Sequence, residues 1–299
     1  MVDECVLVIA FDGLDKELID DYGCDNIKQQ EYGNIDNNKN IAFIKTSELF
    51  ASFITGYNYE EHGVVGLKKR IYSNNWKNVV VEKLAPKKKR KTKRGFYRLY
   101  SVLNKVLRTD ITEIGYSRND LDSKSLFDDI EGSRAMFVPS YNPDPLWATG
   151  SLLSPLSFGY GVSRVEKIID RRCFEPRKAQ LFSELENSII SPRPFLMCHF
   201  HKPDYIHHFY ADEDSFGGED LDEKKVRKMY NEMDQFAQEI KEKAEEAGYD
   251  TIIFMSDHGR PADLGHNENA FYSCNKELFG GETPHITDFH GKILDLTGN

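Results

Sequence analysis

Surplus positive charge is absent from this chain. Its 39 Lys and Arg are outnumbered by 49 Asp and Glu, leaving a formal net charge of -10. That balance argues against a general nucleic-acid binder, which is normally basic. Long apolar runs are missing too: none approaches the roughly 20 residues of a membrane-spanning helix, so no transmembrane segment is expected. The start, Met1-Val2-Asp3-Glu4, is acidic and passes straight into a strand pattern. It lacks the basic start and apolar stretch of a secretory signal. Cysteine is scarce, with 5 residues scattered along the chain and no CxxC pair. This excludes a disulfide framework and leads us to expect reduced thiols in a cytoplasm. No segment repeats. What is there, 299 residues with 39% hydrophobic and 29% charged side chains, fits a soluble globular protein that can bury a sizeable core.

Apolar runs and helical periodicities alternate. Residues 5–11 read as a buried strand closed by Asp12-Gly13, 16–22 as a short helix and 41–45 as a second strand. From Ser47 the pattern turns helical, with Leu49, Phe50, Phe53 and Ile54 on one face and Gly56 just past the end. Further strands are expected over 135–139, 195–200 and 251–255, and helices over 165–170, 177–190 and 221–247. Strands alternating with helices imply an α/β fold, a doubly wound and mostly parallel sheet flanked by helices, as one domain over 1–299. Residues 67–190 break the pattern and read as an inserted lid or lobe. Within it, 86–95 is a basic low-complexity loop containing Lys87-Lys88-Lys89-Arg90-Lys91 with Lys93 and Arg94. Such a block is usually a solvated loop; the alternative is weak contact with an anionic polymer or membrane surface through 87–94.

Chemistry concentrates at the expected strand ends, where open α/β sheets carry ligands. Asp12 follows the first strand, either as a turn carboxylate or as a functional one. Thr46 ends the expected second strand and opens a helix. It serves as a helix cap, or as a hydroxyl held at a helix amino end beside a phosphate, where a metal would let it ionise and attack phosphorus. Asp204 and His208 are four residues apart, on one face of a helix. His199, His201, His207 and His208 place four of the 9 histidines in ten residues, and all but His62 lie between 199 and 290. That clustering favours metal ligands. Asp257-His258 closes the 251–255 strand with oxygen and nitrogen donors suited to a borderline metal such as zinc. His266, His285 and His290 follow as ligands or plain surface residues; His62 reads as structural.

Four blocks in order resemble the alkaline phosphatase superfamily, in particular its type I phosphodiesterase/nucleotide pyrophosphatase branch and uncharacterised archaeal-type relatives. They are Val8-Ile9-Ala10-Phe11-Asp12-Gly13; Thr46 through Thr55-Gly56 with Glu61-His62-Gly63; Pro203-Asp204 with His208; and Ser256-Asp257-His258-Gly259. The resemblance implies a metal-dependent phosphohydrolase of phosphodiesterase type acting on a small phosphorylated substrate, with two divalent ions, zinc or else manganese. Asp12, Thr46, Asp257 and His258 would hold one ion. Asp204, His208 and a later histidine, His266 by its short spacing, would hold the other. Thr46 would be the nucleophile of a covalent phospho-threonine. A phosphomonoesterase or phosphotransferase of the same superfamily, or an inactive binding protein, are the alternatives. Ser47-Glu48-Leu49 stands where nucleotide pyrophosphatases carry Phe-Pro-Asn, so phosphate positioning must differ. No Cys-x-Pro-x-Arg-like motif surrounds Thr46, which argues against sulfate ester hydrolysis.

Overall fold

An unbroken apolar run, Val6–Phe11, forms β1 and is buried on both faces, as befits a strand covered by helices on each side. The computed structural model describes residues 4–72, 111–145, 162–210, 222–262 and 265–299. The basic loop over 86–95 lies outside them. After β1 come α1 (Lys16–Tyr22), β2 (Glu31–Asn34), α2 (Thr46–Thr55), α3 (Tyr59–His62), β3 (Lys68–Tyr72), β4 (Ile111–Gly115), α4 (Leu126–Asp129) and β5 (Arg134–Met136). There follow α5 (Val162–Ile169), α6 (Glu175–Ser188), β6 (Phe195–Phe200), α7 (Lys202–Tyr210), α8 (Glu223–Glu246) and β7 (Thr251–Met255). The chain closes with β8 (Pro261–Ala262), β9 (Gly265–His266), β10 (Phe271–Cys274) and α9 (Asp288–Thr297).

The main sheet has six strands in the order β2-β10-β7-β1-β6-β5. β7, β1, β6 and β5 are parallel neighbours, while β10 runs antiparallel to β7 and β2. The expected α/β architecture is therefore present. Alternate residues of β1 serve opposite faces. Leu7, Ile9 and Phe11 join a core with α8, α6 and α7, and Val6, Val8 and Ala10 join one with α2 and α9. On α8, Val226, Met229, Tyr230, Met233, Phe236, Ala237, Ile240 and Ala244 recur at helical spacing and are buried. Each large apolar side chain among them contributes about 1.5–3 kcal/mol. No helix among the described residues is long and apolar enough to cross a membrane.

Three expectations change. The strand over 41–45 does not form: the N–H groups of Ala42 and Phe43 donate to the Glu48 carboxylate, at 2.5 and 3.2 Å, rather than to a neighbouring strand. Thr46 is consequently the first residue of α2, with Lys45 as its cap. The sheet instead takes Glu31–Asn34 as β2. Its Glu31 carboxylate accepts N–H groups from Leu278, Phe279 and Gly281 and the Tyr272 hydroxyl. The strand over 135–139 shortens to Arg134–Met136, because Phe137 adopts φ 59°. The two helices over 165–190 are one continuous element, joined by a π-helical turn over Asp170–Phe174. Among the described residues of 67–190, β3 and β4 pair only with each other.

Candidate active site

β7, β1 and β6 lie side by side in parallel, so their carboxyl ends open on one edge of the sheet. Asp12 follows β1 there, His201 follows β6 and Asp257-His258 follow β7. Thr46 arrives from the α2 face. Its hydroxyl donates to Asp12 Oδ1 at 3.3 Å and lies 3.3 Å from His258 Nε2. The His258 Nδ1–H donates to Gly259 O at 2.8 Å. That fixes the tautomer and turns Nε2 towards Asp12 Oδ1, 3.2 Å away, and Asp257 Oδ2, 3.4 Å away. Asn37 Nδ2 anchors the Asp257 carbonyl at 2.6 Å.

A second set lies alongside. Asp204 and His208 are one turn apart on α7, with His208 Nε2 3.4 Å from Asp204 Oδ1. His266 Nε2 comes within 3.2 Å of the same oxygen and 3.3 Å of His208 Nε2. The β8–β9 hairpin delivers His266, pairing it with Pro261. Asp15 pins that loop by accepting from Arg260 N at 3.2 Å and Asn267 Nδ2 at 2.8 Å. The His266 ring stacks on that of His258, centroids 3.8 Å apart, so the two sets adjoin. All seven candidate residues named from the sequence are thus brought together. His285 is not: its Nε2 pairs with Lys39 O. His290 packs instead beside Gly56. His62 bonds Ser52 Oγ and Val64 N, and His207 pairs with the Tyr230 hydroxyl.

Two residues at the site were flagged in the sequence only as members of the histidine cluster. His201 Nδ1 hydrogen-bonds Asp12 Oδ2, and His199 Nε2 lies 3.3 Å from that oxygen. The available signal was their separation by two in a strand, which puts both on one face.

The electrostatics are those of a crowded anionic centre. Burial alone would raise Asp12, yet the charge of His201 and the close approach of His199, His201 and His258 hold it well below its ordinary value. Asp204 is held low against burial by His208 and His266. Asp257 goes the other way, pushed up to about 8 by burial and by Asp12 and Asp204, with His258 opposing. His258 rises to about 10, burial being outweighed by Asp257 and Asp12. Burial pushes His199 and His266 down to about 4. Asp204 Oδ1, Asp257 Oδ2 and His199 Nε2 are buried without a hydrogen-bond partner. Three buried carboxylates converging with the neutral imidazoles of His199 and His266 are what a divalent cation takes up, so the residues fit metal binding. Two groups, Asp204-His208-His266 and Asp12-Asp204-His258, each bring their donor atoms within 4.8 Å of one another.

The family model described as Type I phosphodiesterase / nucleotide pyrophosphatase matches residues 6–263. No curated protein matches. Among solved structures, the chain is similar to murine ectonucleotide pyrophosphatase / phosphodiesterase 5, at TM-score 0.46 and 14% identity, over 86% of this chain and 57% of that one. An inactive variant of that protein in complex with AMP gives TM-score 0.48 at 14% identity, with the same shares covered. The chain thus spans little more than half the length of these structures.

Proposed function

Because the chain belongs to the type I phosphodiesterase / nucleotide pyrophosphatase family, we propose that it is a metal-dependent phosphohydrolase that cleaves phosphodiester or pyrophosphate bonds with Thr46 as nucleophile. The observation that carries this is the Thr46 hydroxyl, held 3.3 Å from both Asp12 Oδ1 and His258 Nε2 at the amino end of α2. Asp12, Thr46, Asp257 and His258 would hold one divalent ion, and Asp204, His208 and His266 the other. The mixed oxygen and imidazole donors favour zinc, with manganese second. Bound there, the ions supply Lewis acidity that lowers the hydroxyl pKa and neutralises phosphate oxygens.

The chain's own residues do the rest. Asp12 Oδ1 takes the hydrogen bond of Thr46 and fixes its oxygen. The α2 amino end contributes its positive dipole where phosphate charge gathers. Attack by the Thr46 oxygen on phosphorus gives a threonine phosphate ester and expels an alcohol from a diester, or a phosphate from a pyrophosphate, which takes up the hydroxyl proton; water then hydrolyses the ester and restores Thr46. The three residues after Thr46 are committed elsewhere. Ser47 donates to Leu67 O, Glu48 accepts from Ala42, Phe43 and Gly66, and Leu49 is in the core. Lys45, which caps α2 and feels the Asp204 charge, would supply positive charge for a phosphate oxygen. Burial lowers its pKa while Asp204 pulls it up.

The substrate is a small phosphorylated compound, and the segment that selects its leaving group falls within 67–190. Five free thiols, four of them buried, support a reducing, cytoplasmic setting. The Lys87–Arg94 block would add salt-sensitive contact with anionic surfaces. Chromogenic phosphodiester and phosphomonoester substrates, assayed with zinc or manganese, test the proposal. Thr46→Ala and Asp257→Ala should each lose roughly a thousandfold or more in rate. Cleavage of monoesters alone would make the chain a phosphomonoesterase or phosphotransferase. Equal rates for the wild type and both variants would leave a binding protein.

A further inference from the structure

We propose that Asp12, His199 and His201 hold a third divalent ion of zinc class, bridged by the Asp12 carboxylate to the ion at Thr46. The inference shares Asp12 and Asp204 with the two-ion reading and adds His199 and His201, which lie outside it.

The Asp12 carboxylate faces two different donor sets with its two oxygens. Oδ1 faces Thr46 Oγ1 and His258 Nε2, at 3.3 and 3.2 Å. Oδ2 faces His199 Nε2 at 3.3 Å and, in direct hydrogen-bonding contact, His201 Nδ1. One donor atom each from Asp12, His199 and His201 lies within 4.8 Å of the others. A carboxylate with a separate group of lone pairs gathered at each oxygen is built to bridge.

The backbone explains why these residues meet. His199 and His201 bracket Phe200 at the end of β6, so the imidazoles project to one side and Phe200 to the other, where it packs in the core. β1 and β6 run parallel with Ala10 opposite His199 and Phe11 opposite Phe200. Asp12 N donates to Phe200 O at 3.0 Å, carrying the register one step further.

Two further observations point to a ligand rather than to packing. His199 is only 2% exposed, and its Nε2, aimed at the cluster, has no hydrogen-bond partner. A buried nitrogen left so is destabilising, and coordination would remove that cost. His201 Nε2 lies 3.6 Å from Asp204 Oδ2. A carboxylate thus faces the far nitrogen, and an ion at the near one would displace the proton that Nδ1 shares with Asp12 Oδ2. Two imidazoles and one carboxylate are a zinc set with a fourth position open.

The full chain, dialysed against zinc, is assayed for zinc per chain, and its crystals are mapped by anomalous scattering at the zinc edge. The wild type should carry three zinc ions, one of them about 2.0–2.1 Å from both His199 Nε2 and His201 Nδ1. His199→Gln with His201→Gln should carry two and lose that peak alone. His208→Gln with His266→Gln should lose a different peak. Two ions in the wild type, with none between His199 and His201, would overturn the inference and leave the two-ion reading standing. So would a peak there that survives the His199→Gln, His201→Gln change. No bound zinc at all would sink both readings. The wild-type anomalous map decides by itself if the double variant fails to fold.

Discussion

Gly13 joins the two donor sets, and adding one methyl group to it separates stability from metal binding. Its φ is +70°, and a Cβ built there would meet Asp204 Cα and Cβ at 3.1 Å and Asp204 Oδ1 at 3.3 Å. Gly13→Ala therefore has two costs. The left-handed backbone costs an alanine roughly 1–2 kcal/mol, a fall in thermal midpoint of about 2–8 °C for a chain of this size. The contact falls on backbone and β-carbon atoms, which cannot swing aside, so Asp204 must shift by a few tenths of an ångström. Metal–ligand distances tolerate only about 0.2 Å, so zinc affinity at Asp204, His208 and His266 should fall tenfold or more. Gly23 is the control, with φ +68° and nothing within 4 Å of its would-be Cβ. Gly23→Ala should show a similar thermal loss with unchanged zinc affinity. Calorimetry and competitive zinc titration measure the two quantities for each variant. Equal zinc affinities for Gly13→Ala and Gly23→Ala would refute the reasoning.

Glu48 is buried and accepts three backbone N–H groups from the segments before and after α2. Glu48→Ala should lower stability by about 2–4 kcal/mol in urea titrations, and Glu48→Gln should recover part of the loss. His62, pushed down to about 4 by burial, stays neutral in the fold while the unfolded chain protonates near its ordinary value of 6.5. Its stabilisation is therefore present above about pH 6.5 and lost as pH falls from there towards 4. Between pH 7 and 5 the wild type should lose about 2 kcal/mol more than His62→Gln; parallel pH profiles would contradict this. His266→Ala should retain one zinc fewer than the wild type, whereas His285→Ala and His290→Ala should retain the full complement, as counted by elemental analysis.

The strongest sequence patterns were those with one dominant physical cause. Apolar runs read at 5–11, 195–200 and 251–255 can be satisfied only between helix layers, and all three became central parallel strands, the first over Val6–Phe11. The residues at their carboxyl ends then fell together because neighbouring parallel strands end on one edge. Failures came where a single distant side chain decided the backbone. The apolar run at 41–44 looks extended, but Glu48 takes up the Ala42 and Phe43 N–H groups, as a local pattern cannot foretell. β2 has weak strand-formers and exists because Glu31 gathers donors from 278–281, nearly 250 residues away. At the site, the 204/208 spacing was legible because both residues share α7. His199 and His201 were flagged only as part of a histidine cluster, although strand parity already put them on one side. The proximity of His266 depends on the β8–β9 hairpin and its tether to Asp15, which only the folded chain reveals.

The proposed chemistry stands or falls on where phosphorus becomes attached during turnover. Bis(nitrophenyl) phosphate is mixed with the zinc-loaded chain, the reaction is quenched in acid, and the peptides are weighed and fragmented. The expected result is a nitrophenyl phosphoryl adduct on Thr46, formed with one equivalent of released nitrophenol and absent from Thr46→Ala, which should not turn over. An adduct on another residue, or Thr46→Ala turning over at the wild-type rate, would contradict the assignment of Thr46 as nucleophile.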